Sequence, residues 1–445
     1  MRTRPRAWHF YIIDFAINGG AAWLFWQQIS IDHLDMKRAT ITPSYPIPIT
    51  LIYNIDNNAE RIMSNLANDS LANDNLITPA AWLAEGQSSQ RDMLASLQAL
   101  KAQTHSPFNI IASHRHDRPE IFEFADSVYI EPSATALDSD EQVISEPITP
   151  RWQFVLEQAK QHNVKVLLTG RNGIDYEAQR EAFDAVGIRL LTGATSVAAL
   201  ECIDDKFAFM QQCHRHDIPV ADAWRFDNTA ELEALLSEHG HQPLCVKPVT
   251  GIFAQGFWRL DLAKDDGEQY DSFEHLYFTE EKKINTAQFV NAYTNSQMIR
   301  ERPIPMLLMP YLSGQEYSID VVCEYGEVLA AVTRHKTGKI QHVGYEQDVM
   351  EVVIPLIKAF GCDGIVSVQT KADDDGQHRV LEINSRPSGG IGYTAHSGID
   401  LTQLGFAYWL GLTDKPQLAN IAQKIKPCQV RSLMVSVKIE EDIVE

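Results

Sequence analysis

The chain has 445 residues, 44% of them hydrophobic, enough for two or three globular domains at roughly 150 residues each. Its 59 acidic against 38 basic side chains leave a net charge of −21, which opposes nonspecific attachment to nucleic acid or to an anionic membrane and leaves small molecules and proteins as partners. Six cysteines at 202, 213, 245, 323, 362 and 428 form no C-x-x-C pair, so their spacing indicates neither a disulfide framework nor a zinc knuckle, and a reducing cytoplasm fits them.

Arg2, Arg4 and Arg6 precede an apolar and aromatic stretch at 8–29 that Asp14, Asn18, Gln27 and Gln28 interrupt. The uninterrupted runs are too short for a membrane span and no small-residue cleavage site follows convincingly. Residues 1–45 are therefore expected to be peripheral to the fold. A buried strand is expected at 47–54 (IPITLIYN) and another at 108–113 (FNIIAS), with helical character in the later half of the polar region 56–104. Further on, the pattern gives strands at 127–130, 164–168 and 189–191 and helices at 152–162 and 176–185. Such alternation argues for an open parallel sheet covered by helices, placed here at 46–200. The loops 114–118 (HRHDR) and 169–173 (TGRNG) follow strands at their carboxyl ends, where open α/β sheets bind ligands; each reads either as a substrate contact or as a solvated turn.

Residues 196–213 read as one helix carrying Lys206. Cys213 and His216 are three residues apart, but the cluster falls where the helix should end and spacing offers no fourth ligand, so a metal site is rejected there. An apolar strand at 244–246 then delivers Lys247-Pro248, and Gly251 and Gly256 let a following loop turn its N–H groups toward an anion. The segment 261–302 is polar and irregular apart from a helix at 287–299. Residues 306–312 form a strand leading to a turn and a second, alternating strand, which makes Met309 to Leu312 a hinge between lobes at about 201–310 and 311–445. A hairpin around Tyr325-Gly326 ends in Arg334-His335-Lys336, and a helix is expected at 349–360.

The run 364–392 contains strands at 365–370 and 379–384 separated by turn-forming residues, an antiparallel pair. Alternation puts Glu382 and Asn384 on one face and Leu381 and Ile383 on the other, with Gln369 able to join the polar set. One carboxylate and two amide oxygens suit a hard cation such as Mg²⁺ that completes its shell with substrate phosphates. Arg386 follows, and a guanidinium matches a phosphate edge. The tail at 429–439 reads as a strand closing the sheet.

The order Lys206, Lys247-Pro248, Gly314-x-Glu316, then Gln369 with Glu382-x-Asn384-x-Arg386 resembles ATP-grasp enzymes, particularly their carbamoyl-phosphate-synthetase-like branch, over roughly 200–410. The resemblance implies an α/β chain, α+β in its catalytic half, in which a pre-ATP-grasp domain precedes a two-lobed ATP-grasp module at 201–445. It implies ATP and Mg²⁺, with Mn²⁺ an admissible substitute, as cofactors. Lys206 and Lys247 would meet the nucleotide phosphates, Met309, Tyr311 and Leu312 the adenine, and Glu316 the ribose. Gln369, Glu382 and Asn384 would hold the metal, while Arg386, Lys247 and Arg334 would neutralise the transferred phosphoryl group. The residues at 392–400, with His396 and Asp400, fall where relatives bind the second substrate.

The activity implied is that of a cytoplasmic ligase joining a small carboxylate to an amine or thiol through an acyl phosphate, with ADP and phosphate released and a homodimer admissible. The alternatives are phosphorylation of a small acid without ligation, or nucleotide binding as a regulator.

Overall fold

The structure is a computed structural model that describes residues 78–86, 88–132, 149–251, 255–261, 282–300, 304–433 and 435–436. The expected strand at 47–54 and the segment 1–45 lie outside the described residues. Strands β1 (Ala80–Leu83), β2 (Asn109–His114), β3 (Ser127–Ile130), β4 (Val164–Leu168) and β5 (Arg189–Leu191) form a parallel sheet in the order β3-β2-β1-β4-β5, with helices at Ser88–Gln103 and Arg151–Gln161. The alternation of elements in sequence is thus realised as the expected open parallel sheet. Its middle strand β1 was not among the expected strands. Its residues AAWL are few, two are alanines, and all four are buried, so neither β-propensity nor alternation betrays it.

Burial explains how so short a strand holds its place. Ala81 and Leu83 pack with Leu94 and Leu97 of the following helix, while Ala80 and Trp82 pack on the opposite face with Val155, Leu156 and Tyr176. Each face of β1 is covered by a helix, as a parallel sheet requires. The helix expected at 176–185 is two short ones, Gly173–Glu177 and Arg180–Asp184.

A two-residue strand, β6 (Gly193–Ala194), leads into the second half. There a second sheet combines β7 (Trp224–Phe226), β8 (Leu244–Pro248), β9 (Trp258–Asp261), β10 (Lys283–Asn285) and β11 (Met306–Pro310) in the order β10-β9-β8-β11-β7. A third combines β12 (Glu316–Glu324), β13 (Glu327–Thr337), β14 (Ile340–Gly344), β15 (Cys362–Ala372), β16 (His378–Asn384) and β17 (Cys428–Val430) in the order β16-β15-β12-β13-β14-β17, with β6 paired to β15. The α/β class with a two-lobed second half is therefore the observed architecture.

Local rules account for the turns. Tyr325 and Gly326 both have positive φ, 48° and 81°, as a two-residue hairpin loop of the twist-matching kind requires. The helix Gln347–Ala359 buries Val349, Met350, Val352, Val353, Leu356 and Ile357, each contributing about 1.5–3 kcal/mol of transfer free energy. Among the described residues the tail pairs over Cys428–Val430 and residues 431–433 are not strand; those from 437 on lie outside the described residues. No helix among the described residues is long and apolar enough to cross a membrane.

Candidate active site

Two neighbouring cavities occupy the junction of the sheets. The first, about 220 Å³, is mostly apolar: Cys245 and Lys247 on β8, the stretch Met309 to Leu312, Glu316 at the start of β12, and Gln369, Leu381 and Glu382 on β15 and β16 all face it. The second, about 310 Å³, is polar and takes in Arg115, Arg171, Asp204, Asn384 and Arg386. Lys206, Gly251 and Glu382 line both, so the two communicate across a lysine and a carboxylate.

The position of Lys206 differs from expectation, and the difference is informative. The helix expected over 196–213 is broken into Val197–Asp204 and Lys206–Arg215. Asp205 stands at the break with extended backbone (φ −89°, ψ 103°), and its carboxylate accepts the N–H groups of Phe207 and Ala208 at 2.9 Å each. An aspartate at the N-cap satisfies helix donors that would otherwise lack partners. Lys206 is thereby the first residue of a helix at the cavity junction, and its Nζ donates to the Gly251 carbonyl oxygen at 2.9 Å.

Lys247 reaches the first cavity from β8. Burial lowers its pKa below the ordinary 10.5, Glu382 raises it and Lys206 lowers it further. An ammonium so held gains from an anion alongside it. After β11, the Tyr311 N–H donates to Pro243 O at 2.8 Å, so this amide is not the donor offered to a base. The Tyr311 ring carries Arg259 and Lys371 over it, at 4.4 and 4.8 Å from its centroid.

The hairpin β15–β16 forms as expected, with one irregularity. Gln369 is opposite Glu382 and Ser367 opposite Asn384, but Thr370 is opposite Val380, so Leu381 is an extra residue on β16. This bulge corrects the simple alternation: Leu381 turns to the first cavity beside Glu382 instead of away from it. Asn384 Nδ2 donates to Glu382 Oε1 at 3.3 Å, which fixes the two oxygen-bearing groups relative to each other.

Arg334 lines neither cavity. Its Nε donates to Asp320 Oδ2 at 2.7 Å with both groups buried, and its Nη2 donates to Ser388 Oγ at 2.9 Å. The arginine joins β12 and β13 to the loop after Arg386. His396 and Asp400 also lie outside both linings; the Asp400 side chain accepts from Gln403 N at the start of the helix Leu401–Trp409. Cys213 is fully buried, and burial pushes its thiol pKa up to about 12.

Sequence reasoning missed Lys371, Phe257, Leu381, Glu85 and Asp204 as site residues. Lys371 was within reach, since it lies two residues beyond Gln369 on the same strand face. Glu85 follows the unrecognised β1, and no pattern in the chain points to it.

The fold is similar to that of several solved ligases and synthetases. A family described as "ATP-grasp in the biosynthetic pathway with Ter operon" matches residues 302–434. The chain is 22% identical over 282 residues to the arginine-specific carbamoyl phosphate synthase large chain of Bacillus subtilis, a match covering 60% of this chain and 23% of that one, so it spans under a quarter of that relative's length. Among solved structures, N5-carboxyaminoimidazole synthetase from Staphylococcus aureus complexed with ADP is similar at TM-score 0.55 and 13% identity, covering 81% of this chain and 84% of that one. An L-amino acid ligase from Bacillus licheniformis is similar at TM-score 0.51 and 15% identity, covering 80% and 78%.

Proposed function

We propose that the protein is a Mg-ATP-dependent ligase that activates a small carboxylate as an acyl phosphate, joins it to an amine or thiol, and releases ADP and phosphate. The observation that carries this reading is the shared lining: Lys206 and Glu382 stand between an apolar slot bounded by Met309–Leu312 and a polar chamber that contains Asn384 and Arg386. A nucleotide in the slot would put its terminal phosphate at the one place where the two spaces meet.

The residues fit the cofactors. Leu381, Met309 and Leu312 give an adenine apolar walls, and Glu316 sits where a ribose would follow. Among the described residues no three His, Cys, Asp or Glu side chains group as metal ligands, so the fit to Mg²⁺ rests on Glu382 with the amide oxygens of Gln369 and Asn384, a set that leaves positions for phosphate oxygens. When bound, Mg²⁺ would neutralise phosphate charge; Mn²⁺, with similar oxygen preference, would substitute.

This chain's own part is positioning and charge. Lys247 and Lys206 would hold the phosphates in line, and Arg386 would meet the charge that builds on the transferred group. The acid's carboxylate oxygen attacks the γ-phosphorus and ADP leaves. The amine or thiol then attacks the acyl carbon, phosphate departs, and the nucleophile gives up its proton. Tyr311 and Lys371 also line the slot and would stand beside the nucleotide. The name of the S. aureus neighbour includes ADP, which supports a nucleotide in the corresponding slot here.

The test is release of ADP, AMP and phosphate from Mg-ATP by the purified chain, with and without a desalted small-metabolite extract of its host. Extract-dependent ADP and phosphate support the reading; AMP as product overturns it.

A further inference from the structure

Three carboxylates line the polar chamber, Glu85, Asp204 and Glu382, and two of them are engaged. Glu85 is held by Arg115 Nε at 2.6 Å and by Arg151 Nη1 at 2.5 Å. Glu382 accepts from Asn384 Nδ2 and belongs to the proposed metal set. Asp204 feels the charges of Lys206 and Arg386, but its carboxylate makes no hydrogen bond or ion pair among the described residues.

The place of Asp204 follows from the break in the chain at Asp205. The helix Val197–Asp204 ends there and packs on β16. Its last two residues, Ile203 and Asp204, line the chamber together with Glu382, Ile383 and Asn384 of that strand. The Asp204 carboxylate thus stands on the wall beside the strand that carries the proposed metal set. Burial against this wall pushes its pKa above the ordinary value, and Lys206 and then Arg386 draw it back. The residue is otherwise exposed, so a proton taken there can pass to solvent.

The loaded site sharpens the contrast between its charges. Phosphate groups of the nucleotide and of the acyl phosphate would lie against Lys206 and Arg386. Arg115 faces Glu85, and Arg171 acts on Arg386 but is not among the charges that shift Asp204. Asp204 is then the charge that an incoming nucleophile meets.

A carboxylate there acts in opposite senses on the two candidate nucleophiles. An amine near neutral pH arrives as an ammonium, which a carboxylate attracts and hydrogen-bonds. A thiol reacts as its thiolate, and a neighbouring carboxylate raises the thiol pKa and suppresses that form.

We propose that the nucleophile is an amine, which enters the chamber as its ammonium form against Asp204, and that Asp204 takes the proton whose loss lets the nitrogen attack. This rests on the ligase reading. One ammonium proton passes to an Asp204 oxygen and on to solvent, which frees the nitrogen lone pair. The lone pair forms the C–N bond, the acyl C–O bond breaks with its electron pair going to phosphate, and a second N–H proton leaves with the phosphate.

The experiment uses the full chain with Mg-ATP and the small-metabolite extract as the source of acid. Product formation is read as the increase over extract alone on adding ammonium, methylamine or amino acids, thiols (2-mercaptoethanol, N-acetylcysteine), or hydroxylamine. Hydroxylamine is unprotonated at neutral pH and traps an acyl phosphate as a hydroxamate without needing a base. The wild-type chain should respond to at least one amine and to no thiol; ammonium against the organic amines tells ammonia from a larger amine.

In Asp204→Asn the ratio of amine-dependent to hydroxylamine-dependent product should fall about tenfold or more, the loss expected on removing a general base. The remaining amine reaction should rise with pH as free amine replaces ammonium, a dependence that the wild-type chain shows less, and Asp204→Glu should restore part of the ratio. Turnover on thiols, hydroxamate formation without turnover on any amine, an unchanged ratio in Asp204→Asn, or an equal fall with both nucleophiles together with a raised Mg²⁺ requirement would each overturn the proposal alone. Absence of ATP-dependent hydroxamate in the wild-type chain would overturn the ligase reading and this proposal with it.

Discussion

Gln369 stands opposite Glu382 across β15 and β16, immediately before the bulge in which Leu381 is the extra residue. One polar pair and one apolar side chain therefore reach the first cavity from adjacent positions, which a regular ladder would not allow.

Glu382 supplies the one carboxylate of the proposed metal set. Its replacement by alanine should reduce ADP release about a hundredfold, the equivalent of ~3 kcal/mol in barrier. The fold should survive, because the side chain faces a cavity. Steady-state rates with melting curves check both, and near-wild-type turnover would remove Glu382 from the metal set.

Lys247 has its pKa below 10.5, first through burial. As pH rises through that lowered value the ammonium is lost, so nucleotide affinity should weaken on an alkaline limb beginning below the ordinary lysine range. In the free protein the unfolded chain holds this proton over the window between the lowered value and 10.5, so the group makes stability rise with pH there. Calorimetric titration of an ATP analogue against pH reads the limb; Lys247→Met should abolish it, and the same limb in that variant would assign it elsewhere.

Asp205 caps the helix that begins at Lys206. Asp205→Ala should cost ~1 kcal/mol of stability by loss of the cap and should weaken nucleotide binding as well, because Lys206 loses its fixed position. Asp205→Asn, which keeps an acceptor, should retain most of both. Denaturant melts and nucleotide affinity measured on the two variants separate the cap from the charge.

Asp320 and Arg334 are buried as a pair, and Asp320 Oδ1 has no hydrogen-bond partner among the described residues. Removing one member strands the other in the core, so Arg334→Met should destabilise by ~3–5 kcal/mol, whereas the double replacement Asp320→Leu with Arg334→Met should recover much of that loss. Chemical denaturation of the single and double variants tests it. If Arg334 instead acts on phosphate, the double variant would be stable yet inactive.

The antiparallel hairpin at 364–384, the Lys247 strand, the strand at 306–310 and the parallel sheet were all legible because each is a strong local pattern: alternation, turn residues at fixed offsets, apolar runs of strand length. The break at Asp205 was not, since the stretch 196–213 has helical composition throughout and only the cap hydrogen bonds reveal the interruption. Arg334 reads as a free cation beside a glycine, but its neighbour in space, Asp320, lies on the next strand fourteen residues away. The strand β1 is stabilised by helices on both faces, not by its own propensities, and Glu85, at its end, was hidden with it.

By itself the sequence determined which chemistry was present, because lysines, one carboxylate, amides and an arginine in that order limit the ligands a site can take. Tertiary structure decided which of them meet. The cavity junction at Lys206 and Glu382, the inward turn of Leu381, and the meeting of Arg115 and Arg171 with Asn384 and Arg386 around one chamber arise from elements distant along the chain. Their juxtaposition is set by the burial of apolar faces and by backbone contacts such as Gly170 on Glu85, and these are relations in space that a local pattern does not encode.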